Sequence, residues 1–284
     1  MSENKYFYSL DLFRGFCGYG VAVCHFYAFI YKNTHMEYLS LLFVEFFFVL
    51  SGFVLYPQLI KVLENKKNLI IFYKRRWLRT LPLYVIMLLI VSALLGQLLS
   101  GDFFKYLFFL QKIVPNFINN DYYPVAWSLS IEELFYLLFP LIILMFNKNN
   151  FIKNIIIIFL LILILKYILA SGIESQFFRT GTIFRFDAIL LGFILRHFFS
   201  YIIKFKTFTI LLFLLIFVTF YSGEDYFIAS QDQHKIKYLF IIILQLLSVS
   251  FLIIFTYIEP IMKNNVLRNF SLLLSKQTYS IYLM

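Results

Sequence analysis

The chain has 284 residues, of which 62% are hydrophobic and 14% charged, whereas a soluble domain is about 45–50% apolar and about 25% charged. No soluble fold could cover that much apolar surface, so the solvent must be lipid, in keeping with a mean hydropathy of +0.83. The net charge of +10 would suggest nucleic acid in a soluble protein. Here the basic residues gather in short loops between apolar stretches, which argues against a nucleic-acid partner and makes them an orientation signal.

A membrane-crossing helix takes about 20 apolar residues, so the length has room for roughly eight to ten in one bundle-like domain over residues 1–284. In chain order the apolar runs predict spans at Asp11–Tyr31, Ser40–Ile60, Trp77–Leu98, Trp127–Phe146, Ile152–Ala170, Ile183–Phe199, Thr207–Ser222 and Tyr238–Ile258, with a ninth starting near Phe270. Met1–Tyr8 lacks the basic start and cleavage site of a signal peptide, so the first span is expected to stay. Cys17 and Cys24 lie seven apart on one face of that span and read as small core residues, with no disulfide framework. Phe103–Ile118 is shorter, carries Lys105, Gln111 and Lys112 and ends near Pro115. It reads as an interfacial or re-entrant helix, with a full span as the alternative. If the N-terminus is cytoplasmic and that segment does not cross, thirteen Lys and Arg fall in inside loops against six outside, as the positive-inside rule requires. The ninth helix has only about 15 residues before Met284, short for a bilayer. Either the helix is cut off there, or the chain is truncated relative to its relatives.

Ionisable groups in lipid cost about 2.5–3.5 kcal/mol each on insertion scales and so face a cavity or a partner. On the first helix, Asp11 and Arg14 stand at i, i+3 and can pair at the cytoplasmic interface. His25 lies eleven residues beyond Arg14, about 16 Å up nearly the same face. Its neutral imidazole suits either a packed hydrogen-bond donor or a general base. On the second helix Glu45 stands in an apolar run, and Ser51, Gly52 and Pro57 follow; small residues there can let helices approach closely. Lys74, Arg75, Arg76 and Arg79 come next. They read either as topology anchors beside anionic lipid or as a phosphate site. In the second reading Arg76 and Arg79 present two guanidinium forks from a helix N-terminal turn. The fourth predicted span opens with Ser128, Glu132 and Glu133. Ser128 and Glu132 share a face at i, i+4, and Glu133 could serve the helix start as an acidic cap. Arg185, with Asp187 near it, is a natural partner for an inner carboxylate. Depth sorts these groups. Asp11, Arg14, Arg76 and Arg79 belong to the cytoplasmic side, and His25, Glu45, Ser128, Glu132, Arg185 and Asp187 to the outer half. Group transfer across the bilayer needs such a layout, and a proton-coupled transporter could also use it.

Six stretches together resemble the acyltransferase-3 family of membrane O-acyltransferases: LDLFRGFCGYGVAVCH at 10–25, FFFVLSGFVL at 46–55, FYKRRWLRTLPLY at 72–84, WSLSIEELFYLLFP at 127–140, FRFDAILLG at 184–192 and TYSIYL at 278–283. They occur in the family's order along the whole chain. The resemblance implies an all-α polytopic transmembrane bundle of about nine to ten helices in a bacterial inner membrane, with a cytoplasmic N-terminus. It implies transfer of an acyl group, usually acetyl, from cytoplasmic acyl-CoA to a hydroxyl of a cell-envelope polysaccharide, lipid-linked sugar or related glycan, with no metal. It puts His25 forward as base or acyl carrier, with Arg14 and Glu132 in support. Arg76 and Arg79 would hold the CoA phosphates, and Ser128 and Arg185 would face the substrate; the residues themselves add Arg75 to the phosphate site and Glu45 to the substrate side. Relatives usually continue past the YSIYL stretch, often with a histidine close by. The rival expectations are a transporter or exporter without group-transfer chemistry, and a non-catalytic assembly partner.

Overall fold

A computed structural model of the chain describes residues 6–230 and 232–283. The fold is all helical, 83% of it helix with no strand among the described residues. Among the described residues twelve α-helices follow in order: α1 (Tyr8–Tyr31), α2 (Thr34–Glu64), α3 (Asn68–Leu94), α4 (Gly101–Leu107), α5 (Trp127–Leu144), α6 (Phe151–Leu169), α7 (Ser175–Thr180), α8 (Thr182–Ile202), α9 (Lys206–Ser222), α10 (Glu224–Ala229), α11 (His234–Tyr257) and α12 (Asn265–Leu283). Every predicted span has its helix.

Five of these, α2, α3, α5 with the turn before it, α6 and α11, are long and apolar enough to cross a bilayer. That is fewer than the nine to ten expected. The shortfall has a physical origin. α9 is apolar but only 17 residues long, while α1, α8 and α12 carry polar groups within their length: Arg14 and His25, Arg185, Asp187 and Arg196, and Arg268 and Lys276. Leu161, Ile164 and Ile168 of α6 stand exposed, a surface only lipid can solvate. The chain is an integral membrane protein.

Phe103–Ile118 differs from its expectation. Only α4, seven residues long, is helical there, too short to cross a bilayer. The chain beyond it is irregular up to a short turn at Pro124–Ala126. Phe109 and Asn116 adopt left-handed backbone, φ 60° and 56°, which ends helical propagation for residues with a Cβ. α7 and α10 are short helices within the connections between predicted spans.

The described residues form two compact units, those within 1–54 and 188–282 making one and those of 55–187 with 283 the other. In the first, the Phe13 ring packs among those of Phe46, Phe251 and Phe255 at 5.6, 5.8 and 5.0 Å. α2 and α8 meet through Gly52 and Gly192 at backbone contact: a Cβ on Gly52 would lie 1.8 Å from the Ile189 carbonyl oxygen, and one on Gly192 1.9 Å from that of Val49. Cys17 and Cys24 are buried free thiols, as their face suggested. In the second unit, Tyr84 of α3 is fully buried. It donates to the Tyr106 carbonyl at 2.8 Å and stacks on Phe109 at 4.8 Å, fastening the α4 loop to the α3 helix.

Candidate active site

In the first unit the site residues are built on α1. Its first amides would be orphaned at a helix start; Tyr8 and Ser9 donate theirs to the Glu259 carboxylate at 3.2 and 2.9 Å. One turn on, Asp11 and Arg14 form the expected i, i+3 pair at 3.6 Å. Asp11 is buried and also accepts from the Tyr6 hydroxyl and, at 2.9 Å, from the Ser275 hydroxyl. Arg14 in turn donates to Ser275 at 3.3 Å. Ser275 thus links the two charges from α12. Close approach of α12 requires glycine on α1, because a Cβ on Gly18 would lie 2.2 Å from Thr278 Cγ2 and one on Gly15 2.6 Å from Leu274 Cβ. Tyr19 donates to Gln277 at 2.9 Å on the same seam.

α1 is unbroken from Tyr8 to Tyr31, so the eleven-residue spacing from Arg14 to His25 spans about 16 Å of helix. His25 is half-buried. Glu37, near the start of α2, is close enough to act on it electrostatically. The sequence reading passed over Glu37, which precedes the predicted span Ser40–Ile60 and looks like a loop residue. Glu45, on the same helix, is buried.

In the second unit the basic cluster meets the opening of α5. The expected placement on a helix N-terminal turn fails: α3 begins at Asn68, so Arg76 and Arg79 lie more than two turns inside it and cannot draw on its N-terminal amides, whose field fades within a turn. Arg76 instead lies over the Tyr136 ring at 5.3 Å. Tyr136 donates to Glu132 at 3.1 Å, making an Arg76–Tyr136–Glu132 chain between the two helices. Tyr73 supports it, stacking on Trp77 at 4.8 Å and donating to the Leu137 carbonyl at 2.8 Å. Arg75 and Arg79 are exposed. Glu133 is no cap. It is buried and faces Thr80 and Arg76. Ser128 is buried a turn before Glu132.

Arg185 is 2% exposed and lies in the field of Asp187. Asp187 is fully buried, and so is its partner Lys166 of α6, whose ammonium donates to it at 2.5 Å. The sequence reading overlooked Lys166, a lone cation in an apolar run. Its signal was the mismatch between a charge in mid-span and the cost of leaving it unpaired.

A family model described as an acyltransferase domain matches residues 7–284. The chain is 29% identical over 221 residues to the O-acetyltransferase OatA of Staphylococcus aureus, covering 69% of this chain and 35% of that protein. It is 30% identical over 155 residues to the peptidoglycan O-acetyltransferase OatA of Listeria monocytogenes, 48% of this chain and 24% of that one. An uncharacterized protein of Haemophilus influenzae is 28% identical over 155 residues, 48% and 62% respectively. No solved structure matches. This chain spans about a third of the length of the staphylococcal relative. Because the family model takes in every one of the motif stretches described above, the chain belongs to the acyltransferase-3 family of acyltransferases.

Proposed function

We propose that this chain is a membrane O-acyltransferase that takes an acyl group, acetyl in the simplest case, from cytoplasmic acyl-CoA and delivers it to a hydroxyl of an envelope glycan. The observation that carries the reading is the unbroken α1 helix, with the Asp11–Arg14–Ser275 network at one end and His25 about 16 Å along it. A charged network and an imidazole on one helix carry a cost in lipid, which marks them as functional positions. The peptidoglycan named for the Listeria relative supports a cell-wall glycan as acceptor.

In this reading Arg76 and Arg79, with Arg75, hold the phosphates of CoA, for which guanidinium forks are suited. His25 takes the proton of the acceptor hydroxyl as the oxygen attacks the thioester carbonyl. The carbon–sulfur bond breaks, and CoA leaves as the thiol after taking up a proton. In the two-step form the imidazole attacks first and carries the acyl group to the acceptor. Carboxylates at Glu45 and Glu132 and cations at Arg14 and Arg185 supply the orienting and oxyanion-stabilising charge that the reaction needs, and Ser128 contacts the acceptor. The excess of Lys and Arg in the loops assigned to the inside supports a cytoplasmic N-terminus, and the family resemblance supports a bacterial inner membrane.

The test is His25→Ala, followed by mass spectrometry of surface glycans in cells and by CoA release from purified protein. Loss of O-acylation with normal membrane insertion supports the role; unchanged acylation rejects it. Transport of an unmodified solute by reconstituted protein, with no CoA released, would put an exporter in its place.

A further inference from the structure

The second unit holds a cavity of about 390 Å³ between two loops, one following α4 and one joining α6 to α7 and α8. We infer that this cavity is the acceptor subsite, and that it takes a neutral, polyhydroxylated sugar chain. The inference rests on the acyl-transfer reading for its place in a reaction, but the binding it predicts does not.

Connectivity decides which membrane face the cavity occupies. α3 runs from the basic cluster to Leu94, so Arg76 and Leu94 are about 27 Å apart along the axis, nearly the full thickness of the hydrocarbon layer. The α4 loop continues from that far end and leads back into α5. α6 returns to the same face and ends where the second loop begins. The cavity is therefore on the face opposite Lys74, Arg75, Arg76 and Arg79. If those residues hold a cytoplasmic donor, the cavity opens to the side where an envelope acceptor waits.

The lining chooses the ligand. Asn116, Asn119 and Gln176 supply amides that both donate and accept, Thr180 a hydroxyl, and Phe177 an aromatic ring. A sugar presents matching hydroxyls around its rim and an apolar C–H face to a ring. Charge speaks against an anion. Lys112 is already paired with Asp121 at 2.7 Å, and Glu174 adds a further carboxylate to the lining. The volume lies within the roughly 300–1,000 Å³ of small-molecule sites.

The walls are also fixed in place. Tyr106 donates to Asp121 at 2.5 Å, Lys105 to the Phe117 carbonyl at 2.7 Å, and the amides of Asn119 and Asn120 to Asp102 at 3.0 and 2.9 Å. The Thr182 amide donates to the Lys112 carbonyl at 2.8 Å and ties the two loops together. Asn116 holds its left-handed backbone within this frame. Such backbone persists where the surroundings impose it, so the loop keeps its shape. A site ordered in advance loses little entropy on binding.

The experiment uses the full chain in lipid nanodiscs with tetra-N-acetylchitotetraose, a neutral sugar chain, as probe. Saturation-transfer NMR reads binding, and CoA release from acetyl-CoA reads transfer. Asn116→Gly keeps the backbone and removes the amide, and Gln176→Ala removes a second. Gly172→Trp, where a Cβ meets nothing within 4 Å, plugs the cavity from a roomy position. Wild-type protein should bind the tetraose. The amide variants together should weaken binding, and raise the KM for the sugar, about tenfold. The plug should abolish binding, and the KM for acetyl-CoA should stay put. A wild-type protein that does not bind the tetraose, or binds it equally well when plugged, overturns the inference. Transfer with an unchanged KM for the sugar in all variants overturns it and leaves the acyltransferase reading standing. Binding lost on plugging, with no CoA released by wild type, supports a sugar site in this cavity and removes both the acyltransferase reading and the acceptor role.

Discussion

Lys166 and Asp187 form an ion pair at 2.5 Å with both side chains wholly excluded from solvent. Asp187 also acts on Arg185, which is itself buried. One carboxylate therefore serves two cations, and that asymmetry makes a prediction. Lys166→Met leaves Asp187 with Arg185 still in its field. Asp187→Asn takes the counter-ion from Lys166 and removes a carboxylate from the field of Arg185 as well. Breaking a buried pair from one end costs about 3–5 kcal/mol. Asp187→Asn should stand at or above the top of that range and Lys166→Met below its middle. Thermal unfolding in detergent measures both, and equal losses would mean that Arg185 does not share the carboxylate.

Gly52 and Gly192 bring α2 and α8 to backbone contact, and backbone cannot yield as a flexible side chain can. Gly52→Ala and Gly192→Ala should each cost about 1–3 kcal/mol through overpacking. Gly172→Ala should cost nothing measurable, since its Cβ would enter open space. A stable Gly52→Ala variant with unaltered unfolding would show that α2 and α8 do not meet at backbone contact.

The helices were legible because apolar run length is the strongest signal a membrane sequence gives. The start of α3 was not, for a related reason. Lys66, Lys67 and the Lys74–Arg79 cluster mark where lipid gives way to headgroups, and the reading equated that boundary with the helix end. Lys and Arg are good helix formers, and Leu69, Ile70, Ile71 and Phe72 continue the pattern back to Asn68, so the helix extends beyond the membrane boundary. The Asp11–Arg14 pair followed from its i, i+3 spacing. Ser275 and Tyr6, which complete its shell, did not, because hydroxyls carry no periodic signature and Ser275 comes from 264 residues away. The cavity loops were invisible for a third reason. Their shape depends on left-handed Asn116 and on hydrogen bonds to Asp102, and neither leaves a mark in composition.

Arg76 joins two roles that kinetics can separate. Its guanidinium lies over Tyr136, and in the proposed reaction it also grips a phosphate. Arg76→Ala should raise the KM for acetyl-CoA about tenfold, the worth of a charge-assisted hydrogen bond. Arg76→Lys should recover only part of it, since an ammonium lacks the fork. Acetyl-pantetheine lacks the nucleotide phosphates, so its KM should not respond to either change. An equal rise with both donors would assign Arg76 to holding Tyr136 and Glu132 in place.

The α4 loop should carry an acid-sensitive clasp at Asp102. Burial pushes this carboxyl up, but the Lys105 ammonium and the amides of Asn120 and Asn119 outweigh it and hold the group below its usual range. The folded chain then binds the proton less readily than the unfolded chain does. The carboxylate's contribution is complete above the ordinary value of about 4 and fades as pH falls through the lower folded value. Asp102→Asn retains the shape without the charge and should cost about 1–3 kcal/mol at neutral pH. Its deficit in thermal stability should then shrink as the pH is lowered below about 4, because the wild type loses there what the variant never had. Since Asp102 anchors Asn119 and Asn120 beside the cavity, sugar binding should weaken over the same acid range in the wild type, and should already be weaker at pH 7 in Asp102→Asn. A deficit that stayed constant down to pH 2.5 would mean that the Lys105 and amide contacts do not stabilise the ionised carboxylate.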